Sequence, residues 1–237
     1  DMILTDDNFA SIEAAVEEGR GVFDNLQKFI VWTLPTNGGE ALVLLGAVLL
    51  GLALPILPVQ ILWINMMTSV CLVMTLAFEP KEKGIMDRSP TDPRRPLLTA
   101  SLGRRIVLVS LLLGGAVYGV FELELARGAS LAAARTASVA VIVFGEAFYL
   151  LNCRSFTRSF VSVGWASNVW TWVGIGTMAA LQVVFTHVPA MNRLFLTEPI
   201  SVLAWAEVIG LSLAVALVVG ATKAVRRRLR PDPAAPT

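Results

Sequence analysis

Charged residues and cysteines are both scarce in this chain of 237 residues. Only 16% of the residues are charged and 55% are hydrophobic, a composition too apolar for a soluble domain of this size. The two cysteines, Cys71 and Cys153, provide neither a disulfide framework nor the ligand spacing of a metal site. The net charge of +1 gives no indication of a nucleic-acid partner. The acidic, amphipathic stretch at residues 1–20 is the opposite of a signal peptide.

The apolar residues are grouped in blocks of about twenty, which is the length that a helix needs to cross roughly 30 Å of hydrocarbon. The sequence therefore predicts an all-α, polytopic membrane protein that crosses the lipid bilayer with six transmembrane helices. The predicted spans are residues 30–51, 59–79, 105–122, 136–152, 168–187 and 200–222.

The basic residues predict the orientation of these spans. An even number of spans places both termini on one side of the membrane, and 16 of the 19 lysines and arginines fall on that side. Because cytoplasmic loops are enriched in basic residues, we expect a cell-membrane protein with both termini in the cytoplasm. Residues 11–29 are predicted to form a helix that starts outside the bilayer and continues into the first span. The basic tail, residues 223–237, is predicted to be disordered.

Glutamates inside the predicted spans are the first candidates for function, because an ionisable residue costs about 2.5–3.5 kcal/mol there. Glu40 lies near the predicted middle of the bilayer, and Asn37 precedes it by three residues on the same helical face. Pro35 removes a backbone hydrogen bond and frees the carbonyl of Val31. Carboxylate, amide and carbonyl oxygens are ligands of hard cations such as Ca²⁺, so this stretch predicts a cation site. The alternative is a protonated, structural glutamate in a kinked helix.

Other polar residues in the spans support the same interpretation less specifically. Asn65, Thr68 and Ser69 share one face of the second span, a pattern that also fits hydrogen bonding between helices. Glu146 is a second carboxylate inside a span. Glu207 lies near the external end of the last span, where we expect a snorkelling or locally paired residue.

Four motifs follow one another in the first part of the chain, and their order resembles that of the P-type cation-pumping ATPases of the calcium-pump and sodium-pump class. The resemblance covers about residues 1–102, and beyond them it rests on hydropathy and Glu146. The motifs are "DMILTDDNFASIEAAVEEGR", "NLQKFIVWTLPTNGGE", "LPVQILWINMMTS" and "FEPKEKGIMDRSPTDPRRPLLT".

The resemblance implies a division of the chain into four parts. Residues 1–10 would be the end of the family's phosphorylation domain, and residues 11–29 its cytoplasmic stalk helix. Residues 30–222 would be a transmembrane domain made of the family's fifth to tenth helices, followed by the tail at 223–237. The missing N-terminal part of the pump would be the partner of this chain.

The resemblance also implies a set of cation ligands. The transported cation, Ca²⁺ or the monovalent ions Na⁺ and K⁺, would be held by residues of the fifth, sixth and eighth family helices. These are Asn37, Glu40, Asn65, Thr68, Ser69 and Glu146.

Two departures from the family pattern bear on the choice of ion. Calcium pumps carry Asp where this chain has Ser69, and they follow it with Gly and Pro, which unwind the helix. Here the text is "SVCLV". With one carboxylate fewer, a single Ca²⁺ fits the site as well as a monovalent ion does.

No Asp-Lys-Thr-Gly-Thr motif occurs in the chain, so we expect no ATP hydrolysis by the chain alone. ATP and Mg²⁺ would bind only in the missing domains, whether the chain is a fragment or the product of a truncated gene. The alternative function is a non-pumping remnant that acts as a membrane binding or regulatory protein. A secondary transporter is disfavoured because the first three spans do not repeat in the last three.

Overall fold

The computed structural model describes residues 8–82, 84–89, 99–155, 164 and 167–229, without the side chains of residues 101 and 226–229. Most of the predicted end of a phosphorylation domain, and the tail beyond residue 229, lie outside these residues. Residues 223–229 of the tail are helical, so the prediction that they are disordered is wrong. Within them the protein is all-α, and six helices are long and apolar enough to cross a membrane, which confirms the predicted fold class. Their bounds are Phe9–Leu50, Pro58–Ala77, Leu102–Ala126, Leu131–Cys153, Val169–His187 and Val202–Val225.

Helix α1, Phe9–Leu50, combines the predicted extramembrane helix and the first span in one element. The Asn8 side chain caps its first turn by accepting a hydrogen bond from the amide of Ala10 at 3.0 Å. The helix continues through Pro35 and ends at Gly51, whose φ of 65° is the left-handed conformation that glycine favours. Its 42 residues span about 63 Å, roughly twice the hydrocarbon thickness. The first part of α1 therefore projects beyond the membrane.

The second span is built from three pieces: α2 over Pro58–Thr68, a π-helical turn over Ser69–Val73, and α3 over Met74–Ala77. Helices α4, α5, α6 and α8 form the remaining spans, and α7 is a short helix that follows α6. Their bounds are Ala100–Ala126 for α4, Leu131–Cys153 for α5, Val169–His187 for α6, Pro189–Phe195 for α7 and Val202–Leu229 for α8.

Helix α5 is the central element of the bundle. Of its most apolar 18-residue stretch, 78% is buried, against 33–44% in the other spans. It packs against α1, α2, α4, α6 and α8. A helix that is apolar on all sides belongs in the interior, and Glu146 therefore lies in the most enclosed helix of the protein.

Two glycines of α1 allow α4 to approach closely. A Cβ at Gly38 would lie 2.3 Å from Oγ of Ser110, and one at Gly39 would lie 3.1 Å from Cβ of Leu113. Small residues at helix contacts bring backbones together in membrane proteins. These glycines thus form a packing surface beside Glu40.

Adjacent spans run in opposite directions, so the ends of several spans meet at each end of the bundle, called here the base and the top. The base is the end where α1 enters, at Lys28, and where Arg154 follows α5. The top is the other end, with Gly51 after α1 and Arg127 after α4.

Candidate cation site in the membrane

Two buried carboxyl groups meet inside the bundle. Glu40 of α1 is 5% exposed and Glu146 of α5 is 1% exposed, and their carboxyl groups lie within hydrogen-bonding distance of each other. No donor group in the described part of the chain reaches Oε1 of Glu40 or Oε2 of Glu146. Two carboxylates in contact cannot both remain ionised unless a positive charge lies with them. The pair therefore requires a shared proton or a bound cation.

The second span adds neutral polar groups to this pair. Nδ2 of Asn65 donates to Oε2 of Glu40 at 2.7 Å and to the carbonyl of Ile61 at 3.2 Å. The hydroxyl of Thr68, which is almost fully buried, contacts the carboxyl group of Glu146. An amide and a hydroxyl can each present an oxygen to a cation after a change of rotamer. Three helices thus bring four of the six predicted ligands together.

The other two predicted ligands lie on the outer surface of the bundle. Asn37 is exposed although it precedes Glu40 by three residues, and Ser69 is exposed although it follows buried Thr68. Thr36, beside Asn37, is buried, but its hydroxyl donates back to carbonyls of its own helix. In this structure Asn37 and Ser69 are therefore exposed, whereas the Glu40–Glu146 pair is enclosed.

Hydrogen bonds from neighbouring helices support the backbone around Pro35. The hydroxyl of Tyr149 donates to the carbonyl of Val31 at 2.9 Å, so the prediction that this carbonyl is free is wrong. The hydroxyl of Ser110 donates to the carbonyl of Pro35 at 2.8 Å. The sequence analysis missed both donors, although Tyr149 stands one helical turn after Glu146, a spacing that could have indicated it.

The indole of Trp32 makes a further link between the helices that carry the two glutamates. Its Nε1 donates to the backbone carbonyl of Glu146 at 3.1 Å. Trp32 is 3% exposed and belongs to the buried apolar core. The carboxyl pair is thus enclosed by an apolar shell and by hydrogen bonds between α1 and α5.

The ligand chemistry of the site fits a hard cation. The described residues hold no group of three or more His, Cys, Asp or Glu side chains that could bind a metal ion. A cation at the pair would be coordinated by the carboxylates of Glu40 and Glu146 together with neutral oxygens. Ca²⁺ and monovalent alkali ions accept such ligands, whereas softer metals prefer imidazole or thiolate.

Comparison with known proteins places this arrangement in a family. The family model described as "Cation transporting ATPase, C-terminus" matches residues 53–225. The chain belongs to this family. It corresponds to the C-terminal membrane region of a P-type ATPase.

Similar proteins carry consistent names. The "Probable cation-transporting ATPase F" of Mycobacterium tuberculosis (strain ATCC 25618 / H37Rv) is 54% identical over 233 residues, which are 98% of this chain and 26% of that protein. "Cation-transporting ATPase pma1" of Synechocystis sp. is 45% identical, with 87% of this chain and 23% of that protein covered. The "Calcium-transporting ATPase" of Bacillus subtilis is 35% identical, with 89% and 24% covered. The chain thus spans about a quarter of the length of these relatives.

The π-helical turn of this ATPase region begins where the family resemblance leads one to expect an unwound helix. The turn covers Ser69–Val73, immediately after Thr68. A Cβ at Gly174 of α6 would lie only 2.0 Å from the carbonyl oxygen of Cys71, so α6 packs directly against the widened backbone. The hydroxyl of Thr75 donates to the carbonyl of Leu72 at 2.7 Å. Single π-helical turns are frequently found at functional sites, and this chain forms one without Gly or Pro in the turn.

A third buried glutamate of the ATPase region lies at the base, just beyond the second span. Arg154, which follows α5, places its guanidinium 3.0 Å from Glu79, and both side chains are nearly inaccessible. Nδ2 of Asn168 donates to Oε2 of Glu79 at 2.8 Å and to the carbonyl of Thr75 at 3.0 Å. This ion pair is fully compensated and joins the base of the second span to α5 and α6.

The segment after the second span also contacts the projecting part of α1. Arg20 of α1 donates to the carbonyls of Ile85 and Arg88 at 2.8 and 2.9 Å. Arg88 forms an ion pair with Asp24 at 2.8 Å, and Lys81 forms one with Glu18 at 2.6 Å. The hydrogen bond with Glu18 raises the pKa of Lys81. The α1 projection and the segment at 79–89 are therefore connected at several points.

At the top of the bundle, Glu207 forms an ion pair, which is one of the two arrangements expected from the sequence. Its carboxylate lies 2.6 Å from the guanidinium of Arg127, which also contacts Glu124 at 3.4 Å. Glu207 thus has a counter-charge within the protein and differs in this respect from Glu40 and Glu146.

Proposed function

We propose that this chain is the cation-binding transmembrane part of an ATP-driven pump, and that Glu40, Asn65, Thr68 and Glu146 hold the cation as it crosses the membrane. The observation that supports this most strongly is the contact between two buried carboxyl groups that no basic side chain of the described residues compensates. Burying such a pair is costly, and a bound cation removes that cost.

The same contact gives the site a means of exchanging its cargo. When no metal ion is bound, one proton between Glu40 and Glu146 relieves their repulsion. When a cation enters, both carboxylates ionise and the proton leaves. Cation binding is therefore coupled to proton release, and a shift of α1 against α5 changes the affinity by changing the distance between the two carboxyl groups.

Helix α1 is suited to transmit such a shift. It runs without interruption from the projecting residues 9–29 to Glu40, and the segment at 79–89 attaches the second span to the same projection. In the proposed pump, ATP and Mg²⁺ act in the part of the protein outside this chain, and their effect reaches the cation through α1. Both termini of the chain are assigned to the cytoplasm, which the distribution of the basic residues supports.

The charge of the site limits the number and type of cations. Two carboxylates can be neutralised by one divalent ion or by two monovalent ions, and the Coulomb attraction to each carboxylate scales with the charge of the ion. We therefore propose at most one divalent ion per cycle, with Ca²⁺ and a monovalent ion as the two candidates. Asn37 and Ser69 become ligands in this proposal when the remainder of the pump packs against the outer surface that they occupy.

The experiment is a titration of ATPase activity in the full-length protein that contains this chain. Activity is measured against Ca²⁺, Na⁺ and K⁺ for the unmodified protein, for Glu40→Gln and for the control Glu207→Gln. We expect Glu40→Gln to raise the half-activating cation concentration at least about tenfold, since half of the site's negative charge is lost. Glu207→Gln removes a carboxylate that is already paired with Arg127. It should shift the half-activating concentration less than about twofold. An unchanged response of Glu40→Gln to all three ions would show that Glu40 is structural.

A further inference from the structure

Tyr149 compensates for the hydrogen bond that Pro35 removes from α1. Proline has no backbone N–H, so the carbonyl of Val31 lacks its normal partner four residues later. The hydroxyl of Tyr149, from α5, donates to this carbonyl at 2.9 Å. Tyr149 is fully buried, and a carbonyl left without a donor in such surroundings is costly.

The direction of this hydrogen bond is fixed by Arg105 of α4. Its Nε donates to the hydroxyl oxygen of Tyr149 at 2.8 Å, and its guanidinium carbon lies 5.2 Å from the centre of the tyrosine ring. Arginine offers donors and no acceptor, whereas a phenol has one proton to give. The thiol of Cys153 is the other neighbour of this hydroxyl, but sulfur is a weak acceptor, so the proton of Tyr149 is directed to the carbonyl of Val31.

The hydrogen bond between Tyr149 and Val31 joins the same two helices, α1 and α5, that carry Glu40 and Glu146. Tyr149 follows Glu146 by one helical turn on α5, while Val31 precedes Trp32 on α1. The indole of Trp32 donates to the backbone carbonyl of Glu146 at 3.1 Å. Two hydrogen bonds thus join neighbouring residues of α1 to neighbouring turns of α5, and they fix how far one helix can slide along the other.

We infer that Tyr149 is a positioning residue for cation binding: it replaces the amide that Pro35 lacks and holds α5 in the register that brings Glu146 against Glu40. The inference rests on the proposed function, because it assigns to Tyr149 control of the geometry of that site. Tyr149 itself does not touch the cation.

The chain offers a matched control, since it contains only two tyrosines. Tyr118 also donates to a carbonyl of α1, that of Val43, at 2.8 Å. Residue 47 is alanine, however, so the carbonyl of Val43 keeps its helical amide partner. Tyr118→Phe and Tyr149→Phe therefore each remove a hydroxyl that donates to a carbonyl of α1. Only Tyr149→Phe leaves that carbonyl without a donor, and it also removes the acceptor of Arg105.

The test measures the half-activating concentrations of Ca²⁺, Na⁺ and K⁺ in the full-length protein. We expect Tyr149→Phe to raise the value for the transported ion about fivefold to tenfold, the effect of one lost buried hydrogen bond. The maximal rate and the KM for ATP should change less than about twofold, as should all values for Tyr118→Phe. Equal shifts in Tyr149→Phe and Tyr118→Phe, or no shift in Tyr149→Phe, would overturn the inference.

A second background shows whether the effect depends on Pro35. Pro35→Ala restores an amide for the carbonyl of Val31, so Tyr149→Phe should shift the cation response less than about twofold in this background. If Tyr149→Phe alone does not fold, the double variant with Pro35→Ala should fold, and its failure to do so would contradict the inference. If Glu40→Gln raises the half-activating cation concentration and Tyr149→Phe does not, only the positioning role of Tyr149 is refuted. An absent effect of Glu40→Gln refutes the proposed function itself.

Discussion

Buried glutamates occur in two very different settings in this protein. At the base, Glu79 is compensated by the guanidinium of Arg154 and by the amide of Asn168. Inside the bundle, Glu40 and Glu146 face each other, and each keeps one buried oxygen that no donor of the described residues reaches. The first arrangement is complete within the protein, whereas the second requires a proton or a cation from outside.

The difference suggests how structural and transporting carboxylates can be told apart. Lying within a span does not separate them, since Glu207 also lies within one and is paired with Arg127. The two kinds of carboxylate differ in whether a basic side chain of the protein lies beside them. A carboxylate with a basic partner in the fold stabilises a helix contact, and one without it is available to a mobile ion. Substitutions in the two kinds of carboxylate test this distinction.

The largest effect is expected at the base. Arg154→Met leaves Glu79 buried without a counter-charge, which costs about 3–5 kcal/mol in buried ion pairs of this type. We expect a corresponding loss of thermal or denaturant stability in the full-length protein, measured at several cation concentrations. The loss should be the same at all of them, because this ion pair does not bind the cargo.

The double variant Glu79→Gln/Arg154→Met controls for the loss of packing. It removes both charges and should recover most of the stability lost in Arg154→Met. An equal loss in the single and double variants would show that the charge balance at the base does not matter.

Unlike Arg154→Met, Glu146→Gln is expected to change the response to cations and not to lower the stability of the protein without them. It removes one of the two repelling carboxylates, so stability without added cation should remain within about 1 kcal/mol of the original or increase. The stabilisation gained by adding the transported ion should be lost, because ligand binding stabilises the folded state in proportion to its affinity. Melting curves with and without Ca²⁺ or Na⁺ measure both quantities. A cation-dependent shift that persists in Glu146→Gln would place the ion elsewhere.

Ser69→Asp adds a carboxylate without a basic partner. In the full-length protein it should tighten Ca²⁺ binding about tenfold and Na⁺ binding about threefold, because doubling the ion charge doubles the Coulomb energy and squares the factor in affinity. The measurement is ATPase activity titrated with each ion. Equal factors for the two ions, or none, would show that residue 69 remains outside the site throughout the cycle.

The smallest effect is expected at Glu207. Its ion pair with Arg127 is partly exposed at the top of the bundle, and such pairs contribute about 0–1 kcal/mol. Glu207→Gln should lower stability by no more than that and leave every cation response unchanged. A strong effect on transport would contradict the view that a paired carboxylate is structural.

The sequence was sufficient to predict the six spans, because blocks of about twenty apolar residues have few alternatives in a membrane protein. It also predicted the grouping of Glu40, Asn65, Thr68 and Glu146, partly from helical spacing and partly from the family resemblance. The helical spacing did not separate Asn37 from Glu40. The boundary between the buried and the exposed surface of α1 runs between these two residues, and that boundary depends on where other helices pack.

The features that escaped prediction depend on contacts between distant parts of the chain. The donor for the carbonyl of Val31 comes from Tyr149, 118 residues later. The π-helical turn at Ser69–Val73 packs against Gly174, and its sequence carries no helix-breaking residue. Local propensity describes what a segment does alone, so it indicates neither feature.

The most direct test of the central claim is equilibrium binding of radioactive Ca²⁺ and Na⁺ to the purified full-length protein. We predict saturable binding of at most one Ca²⁺ per molecule, or of the monovalent ion in its place. This binding should be lost in Glu40→Gln and in Glu146→Gln and retained in Glu207→Gln. Binding of the same stoichiometry and affinity in Glu40→Gln and Glu146→Gln would contradict the claim that the two buried carboxyl groups hold the transported cation.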